Sequence, residues 1–213
     1  MKEEMSSVDI RYIVRELQWL IGSRVDKVYH DGDEIRIKLR TKEGGRADLI
    51  LQAGKRFHLT TYVKEAPKRP SSFTMLLRKH MSGGFVDAIE QHGFDRIVKV
   101  RVGGDYTLIG ELFRRGGNVI LVDSENRIIA ALRYEEYRDR AIKPKAAYKF
   151  PPARENPLEV TRERFIKLMR EEEDLELVRA WRGSSTWGGH VRGGDIHKGR
   201  FRENYPGQGA ERR

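Results

Sequence analysis

A charged pair at the start of a predicted strand is the part of this sequence best suited to bind a polar ligand. Gly93 provides a flexible turn, Asp95 and Arg96 follow it, and the alternating run Ile97–Val102 comes next. Because neighbouring residues of a strand point to opposite faces, the two charges cannot simply neutralise each other, and each needs its own partner. A guanidinium binds a phosphate or a base edge, and a carboxylate accepts hydrogen bonds from amino groups or ribose hydroxyls. The pair therefore predicts binding rather than bond-breaking chemistry.

Basic side chains on predicted strands form a second candidate site. They alternate with apolar residues, which sends them to the outer face of a half-buried strand, where they can contact a phosphate backbone. These candidates are Arg36, Lys38 and Arg40, with Lys99 and Arg101 on a neighbouring strand. A further pair, Arg114 and Arg115, precedes the glycines of a hairpin tip. For each of them, a solvated surface position is an equally good interpretation.

The sequence gives little support to metal or hydrolase chemistry. Its six histidines show no ligand spacing, and there is no cysteine to act as a ligand or nucleophile. There is no G-x-S-x-G elbow, and the glycine pairs at 103–104 and 116–117 belong to no G-x-x-x-x-G-K phosphate loop. We therefore predict no catalytic residue, no metal and no cofactor.

The charge balance favours a polyanionic partner. The chain has 42 Lys and Arg against 32 Asp and Glu, a net charge of +10 and a pI near 9.8. A charged content of 35% with few amides also indicates a thermophile surface, but that does not explain the excess of one sign. No apolar run reaches the length of a membrane span and no signal peptide begins the chain. We therefore expect a cytoplasmic protein without a membrane partner.

These residues must be positioned by an α+β fold. A cap at Ser6 or Ser7, followed by apolar residues at helical spacing, predicts a helix that ends at Gly22, and a second helix follows Ser71. Alternation and turn signals predict an antiparallel sandwich or barrel with strands at 25–30, 34–40, 47–52, 56–62, 85–91, 96–102, 106–113, 118–122 and 127–133. The residues expected to be buried are Ile35, Ile37, Leu39, Leu49, Leu51, Val98, Val100 and Val102.

The pattern changes after residue 152, where two prolines interrupt regular structure. We predict an α+β domain over 1–152 and the start of a truncated helical domain over 153–180, with helices at 162–172 and 174–180. The glycine-rich stretch 181–213 predicts disorder. A shift of one base over 191–199 can yield an amphipathic helical string, so we interpret this stretch as an out-of-frame reading, which the gene's nucleotide sequence would test.

Several short motifs together resemble the N-terminal domain of the NFACT family, the ribosome quality control factors once labelled fibronectin-binding proteins. They are Asp9 and the segments 70–73, 90–96, 111–118 and 142–144. The resemblance covers residues 5 to about 180. It implies a fold like the N-terminal domain of formamidopyrimidine-DNA glycosylases, in which a helix-two-turns-helix unit comes next.

The resemblance also implies a function. The parent protein would bind a stalled large ribosomal subunit that carries peptidyl-tRNA, hold a tRNA and support template-free tailing of the nascent chain. By this resemblance, tRNA contacts fall on Asp95 and Arg96, and a further functional aspartate is Asp9. The family's coiled coil and second RNA-binding domain are absent from this chain, and a homodimer would form through such regions. The ribosome would make the peptide bonds, so this chain would be a binding module.

Two other functions remain open from the sequence. A nucleic-acid-processing enzyme related to the glycosylases would attack through an N-terminal proline amine, but the chain has Lys2 followed by Glu3 and Glu4, with no proline there. A fibronectin-binding adhesin fits the old family label. The lack of a signal peptide and of cysteines speaks against export.

Overall fold

The computed structural model describes residues 4–152, 156 and 158–171 of the 213-residue chain. These residues form two large antiparallel sheets, a small one and three α-helices. The first sheet is a meander of β1 Arg24–Asp31, β2 Glu34–Arg40, β3 Arg46–Gln52 and β4 Arg56–Thr60. The second sheet is a meander of β5 Val86–Gln91, β6 Ile97–Val102, β7 Tyr106–Glu111, β8 Asn118–Val122 and β9 Ile128–Ala131. The small sheet pairs β10 Glu135–Glu136 with β11 Ala141–Ile142.

The two large sheets pack face to face around one core. All eight residues expected to be buried from the strand alternation lie in this core, and each is at most 1% exposed. A Cβ atom at Gly110 of β7 would overlap the Leu51 side chain of β3. The sheets can therefore lie this close only because residue 110 is a glycine. The described strands form a sandwich and no closed barrel, although a bridge between Arg24 and Phe85 joins the sheets along one edge.

Helix α1, Ser7–Glu16, covers one open side of the sandwich, where it contacts β4 and β5. A capping box fixes its first turn: the Ser6 hydroxyl accepts from the Asp9 amide, and the Asp9 carboxylate accepts from the Ser6 amide. The sequence predicted one helix as far as Gly22, but the α-helix ends earlier and a 3-10 turn follows over Leu17–Leu20. The tighter turn places its first and last leucines on the same side, and both are buried.

Helix α2, Ser72–Met81, covers the other open side, against β1 and β9. Ser71 caps it by accepting a hydrogen bond from the Thr74 amide, as the sequence predicted. The third helix, α3 Arg162–Glu171, begins after Thr161, whose hydroxyl accepts from the Arg164 amide. The helix predicted at 174–180 and the stretch 181–213, with its out-of-frame interpretation, lie outside the described residues.

Residues 135–150, which we call the strap, cover the outer face of the second sheet. No helix or strand was predicted for these residues from the sequence. The strap pairs with the start of β9, because the amide of Lys145 donates to the carbonyl of Ile128 and the amide of Ile128 donates to the carbonyl of Ala146. Tyr148 of the strap is 2% exposed and fills a second small core over this face. Every residue of β8 is buried, because the main core covers one face of that strand and the strap covers the other.

None of the described helices is long and apolar enough to cross a membrane. Within the same residues, no three His, Asp or Glu side chains are grouped so that they could hold a metal ion. The two prolines at 151 and 152 come directly after the strap, and the domain boundary predicted there stays a prediction.

Candidate nucleic-acid interface

Arg96 lies directly before β6, and its guanidinium is largely buried. Its side chain is 15% exposed, and its Nε has no hydrogen-bond partner among the described residues. Burial lowers the pKa of this arginine below its ordinary value, and the carboxylates of Glu4 and Asp9 only partly offset that effect. The cation is therefore desolvated without being fully hydrogen-bonded, which leaves it able to bind an incoming anion or base edge.

Glu4 connects two arginines from different parts of the chain. One carboxylate oxygen lies 3.5 Å from Arg96 Nη2, and the other lies 3.3 Å from Arg114 Nε. Arg114 follows β7 and its side chain is 76% exposed, so this hairpin-tip arginine reaches the same site as Arg96. An exposed ion pair of this length contributes little stability. An incoming anion could therefore replace Glu4 as the partner of Arg114, whereas the side chain of Arg96 in the other pair is only 15% exposed.

Asp95 lies in the turn before β6 and is 8% exposed. Its amide donates to the carbonyl of His92, and its carbonyl accepts from the side-chain amide of Gln91. The same Gln91 amide donates to the carbonyl of Ser7, so one side chain ties this turn to the first residue of α1. Gln91 Oε1 is buried and lacks a partner within the described part of the chain. Gln91 Oε1, an acceptor, and Arg96 Nε, a donor, therefore both lack partners among the described residues, and they are close in sequence.

Asp9 has a clear structural role. Its carboxylate accepts hydrogen bonds from the amide and the hydroxyl of Ser6, at 2.6 and 2.7 Å, and so stabilises the first turn of α1. The same carboxylate acts electrostatically on Arg96. The structure therefore places two predicted site residues, Arg96 and Arg114, against Glu4, an acid that was not predicted, while Asp9 acts on Arg96 and Asp95 precedes it in the chain. We call this group the Arg96 cluster: Glu4, Asp9, Asp95, Arg96 and Arg114.

A cleft of about 390 Å³ opens beside Glu4 and Arg114. Its walls come from the loops after β1, β3, β7 and β9, and they include Asp33, Lys55 and Arg133. Arg133 forms an ion pair with Asp33 and so connects the end of the second sheet to the first. Because charged side chains of both signs line it, the cleft suits a hydrated polar ligand better than an apolar one.

The basic strand residues do not form the single surface that the sequence predicted. β2 belongs to the first sheet and β6 to the second, so these strands are not neighbours, and their outer faces point away from each other. Three of the side chains are paired with a carboxylate: Arg36 with Asp48 at 2.9 Å, Lys38 with Asp26 at 3.6 Å and Lys99 with Glu90 at 2.8 Å. The exposed strand residues are Arg40 and Arg101, and both hairpin-tip arginines, Arg114 and Arg115, are also exposed. The two strands are therefore separate candidates.

A buried ionic network beneath the strap was not predicted from the sequence. Glu111 is fully buried and binds Arg140 through both terminal guanidinium nitrogens. It also accepts a hydrogen bond from the Tyr148 hydroxyl at 2.7 Å. Burial and then the charge of Glu111 raise the pKa of Tyr148 far above its ordinary value, so this hydroxyl stays a donor. The motif at 111–118 did single out Glu111, but its partner lies 29 residues away.

Comparison with known proteins finds a matching family and several similar proteins. The family described as NFACT N-terminal and middle domains matches residues 6–186. The chain is 42% identical over 161 residues to the archaeal Rqc2 homolog aRqcH of Methanocaldococcus jannaschii, which covers 71% of this chain and 24% of that protein. It is 33% identical over 185 residues to the ribosome quality control complex subunit NEMF of Homo sapiens, which covers 84% of this chain and 17% of that protein.

The chain thus spans about a quarter or less of the length of these curated relatives. A solved structure, the N-terminal domain of the fibronectin-binding protein PavA from Streptococcus pneumoniae, matches with a TM-score of 0.73 and 26% identity. That match covers 87% of this chain and 79% of the other. The curated relatives are named for ribosome quality control and the structural relative for fibronectin binding.

Proposed function

The chain belongs to the NFACT family, and from that premise we propose that it is a module that holds a tRNA for a ribosome quality control factor. The factor would act on a stalled large ribosomal subunit that carries peptidyl-tRNA, in the cytoplasm, and would support template-free tailing of the nascent chain. The names of the curated relatives support the quality control role, and the net charge of +10 supports an RNA partner. Since the ribosome would form the peptide bonds, the module itself needs no catalytic residue.

One observation carries the choice of site. A buried donor, Arg96 Nε, and a buried acceptor, Gln91 Oε1, both lack hydrogen-bond partners among the described residues, and they lie at either end of the turn between β5 and β6. Buried polar groups are nearly always hydrogen-bonded, and leaving one unpaired costs about 1–3 kcal/mol. Both atoms are buried, so a ligand that offers an acceptor and a donor would remove this cost only if the turn between them opens to admit it. A nucleotide is such a ligand, because its phosphate and base edges accept while its amino and hydroxyl groups donate.

Each member of the Arg96 cluster has a role in this proposal. Arg96 would bind a phosphate or a base edge through its planar fork, and the exposed Arg114 would add a second cation at the mouth of the site. Asp95 would accept a hydrogen bond from a base amino group or a ribose hydroxyl. Asp9 would hold the start of α1 in place and bias Arg96 electrostatically. Glu4 would occupy the anion position until RNA displaces it.

Replacement of Arg96 and Asp95 tests the site. Arg96→Ala removes a charge-assisted contact worth about 1.5–3 kcal/mol, so tRNA affinity should fall about tenfold or more. Asp95→Asn keeps the shape of the turn, and it should weaken the specific complex even though removal of a negative charge favours non-specific RNA binding. Fluorescence anisotropy with labelled tRNA and the full chain measures both, and affinity for every variant should fall as salt rises.

Arg138→Ala is the matched control, because Arg138 is an exposed arginine of the strap and its replacement removes the same charge. Thermal unfolding establishes that each variant is folded. A loss of affinity in Arg138→Ala as large as that in Arg96→Ala would indicate a general charge effect. Unchanged tRNA affinity in a folded Asp95→Asn, Arg96→Ala double variant would rule out this site.

Fibronectin binding is a second candidate, because the solved structure of similar fold is named for that activity. Immobilised fibronectin and the full chain, compared by surface plasmon resonance, would test it. Saturable binding that persists in Arg96→Ala, together with tRNA binding no stronger than that of the control, would favour this candidate over the first.

A further inference from the structure

Three arginines lie side by side across the outer face of the first sheet. Arg24 of β1 is opposite Arg40 of β2, and Arg40 is opposite Arg46 of β3. Neighbouring strands are about 4.8 Å apart, so the three side chains leave the sheet in one narrow band. All three residues are exposed. We call them the arginine row.

This arrangement is unfavourable for the protein on its own. Like charges directly opposite each other on antiparallel strands destabilise a sheet. Within the residues that the structure describes, no carboxylate forms an ion pair with the arginine row, and its one described hydrogen bond joins Arg24 Nε to the Gly83 carbonyl at 3.2 Å. At the next outward position Lys27 is opposite Lys38, but there the third strand contributes Asp48 and not a cation.

Elsewhere on the same face, the sheet does compensate its cations. Arg36 is paired with Asp48 at 2.9 Å, and its guanidinium lies 4.0 Å from the ring centroid of Tyr29. Lys38 is paired with Asp26 at 3.6 Å. The unpaired positive charge is therefore concentrated at the end of the sheet that holds the arginine row.

A cleft at this end has room for an anion. It measures about 180 Å³ and is lined by Arg24, Val25, Asp26, Arg40 and Gly83. A water molecule occupies about 30 Å³ of liquid, so the cleft can hold a phosphate group with part of its hydration. The Asp26 carboxylate at its wall is paired with Lys38, which limits its repulsion of an anion.

We propose that the arginine row is a second RNA contact, which binds the phosphate backbone without reading the sequence. This inference deepens the proposed function and rests on it for the choice of RNA as the polyanion. Guanidinium groups bind phosphate oxygens bidentately, and a backbone phosphate recurs at every nucleotide of the ligand. The same phosphates would offset the repulsion within the row.

The arginine row and the Arg96 cluster lie at opposite ends of the first sheet. Asp33, just before β2, lines the cleft beside Glu4 and Arg114, whereas Arg40 is the last residue of β2. The strand between them is about 20 Å long at 3.3 Å per residue. A ligand that contacts both sites must therefore span that distance, which a folded RNA does and a free nucleotide does not.

Neutral replacement of two row residues tests the proposal. Arg40→Gln with Arg46→Gln, made in the full chain, should weaken binding to a short RNA duplex of arbitrary sequence on the order of tenfold at low salt. The slope of log affinity against log salt should fall by about 0.7–0.9 for each arginine that contacted a phosphate. Because the change relieves like-charge repulsion, the melting temperature at low salt should stay the same or rise.

The control is Arg138→Gln with Lys149→Gln, which removes the same charge from exposed strap positions. A slope reduced equally in both double variants would overturn the proposal, because it would reflect net charge alone. So would an unchanged slope in the row variant. If that variant lost affinity for poly-glutamate but not for RNA, the row would serve an acidic protein and the RNA proposal would be wrong. If the double variant did not fold, Arg46→Gln alone gives the same comparison with about half the change in slope.

The two proposals can fail separately. Failure of the proposed function appears as full tRNA affinity in the Asp95→Asn, Arg96→Ala double variant. Failure of the arginine-row proposal appears when the row variant and the strap control have the same salt slope for binding to the RNA duplex. The Asp95 and Arg96 changes should leave affinity for the duplex nearly unaffected. A wild-type chain that binds the duplex through the row but shows no preference for tRNA would keep the second proposal and remove the first.

Discussion

At the scale of single residues, the carboxylate of Glu111 is a fully buried charge with three hydrogen bonds to the strap. Its side chain is 0% exposed and that of Arg140 is 7% exposed, and the two form a bidentate pair. Burial alone would lower the pKa of Arg140, but the hydrogen bond and the charge of Glu111 raise it. Tyr148 donates the third hydrogen bond. These contacts join the strap to the end of β7.

Arg140→Ala should destabilise the protein by about 3–5 kcal/mol, because it leaves a buried carboxylate without its cation. Urea denaturation measures the free energy of unfolding. Glu111→Met with Arg140→Met should cost less than Arg140→Ala, since no unpaired charge is then buried. Arg138→Ala, on an exposed strap residue, should change stability by no more than about 0.5 kcal/mol. An Arg140→Ala protein as stable as the Arg138→Ala control would contradict this account of the network.

The residues of the candidate site were only partly predictable. Asp95 and Arg96 stand out because two opposite charges follow a glycine turn at the start of an alternating strand. Glu4 and Gln91 do not stand out, because their importance depends on contacts with residues distant in sequence, Arg96 and Ser7. Local pattern cannot supply such contacts, which exist only after the turn and the start of α1 have packed together.

At the scale of elements, helix α1 places both a structural and a candidate binding residue in its first turn. Asp9 is the third residue of the helix and closes the capping box with Ser6. An acidic side chain there also interacts favourably with the helix dipole. Any effect of Asp9 on RNA binding must therefore be separated from its effect on the helix.

Asp9→Ala should lower the free energy of unfolding by about 1 kcal/mol, because it removes the two hydrogen bonds that the carboxylate accepts from Ser6. Glu16→Ala, an exposed position at the other end of the same helix, should change it little. Chemical denaturation of both variants measures the difference. Equal stabilities would show that the capping box matters little to this helix.

The strands were predicted more accurately than the elements that join them. β8 has the predicted bounds, and β2 also matches, because strict alternation or an apolar run between turn residues marks both. α1 was predicted too long, since the apolar spacing continues through the 3-10 turn at Leu17–Leu20. The strap was missed because its two strands have two residues each and show no period.

At the scale of the whole molecule, one contact between facing strands sets the distance between the two sheets. The sequence predicted which residues face the core, but alternation does not show which strand of one sheet meets which strand of the other. Gly110 and Leu51 mark that contact: a Cβ atom on the glycine would overlap the leucine.

Gly110→Ala should therefore destabilise the sandwich by about 1–3 kcal/mol through overpacking. Leu51→Ala should itself cost about 2–5 kcal/mol, but in that background Gly110→Ala should cost less than it does alone, because the added methyl group enters the space that the leucine vacates. A double-mutant cycle by urea denaturation measures the coupling, which should be about 0.5–3 kcal/mol for residues in contact. Additive effects of the two changes would mean that the sheets adjust elsewhere.

The strap also has a mechanical consequence. A pulling force applied to the chain beyond Pro152 would reach the strap before it reached either large sheet. Phe150 would separate first, from the ring of His92 on which it stacks at 3.7 Å, followed by Tyr148 and then by the buried pair of Arg140. The carbonyl of His92 accepts a hydrogen bond from the amide of Asp95. Loss of the stack between Phe150 and His92 would therefore disturb the turn that carries Arg96. Tension on the following part of the protein could thereby loosen the candidate binding turn while the sandwich stays folded.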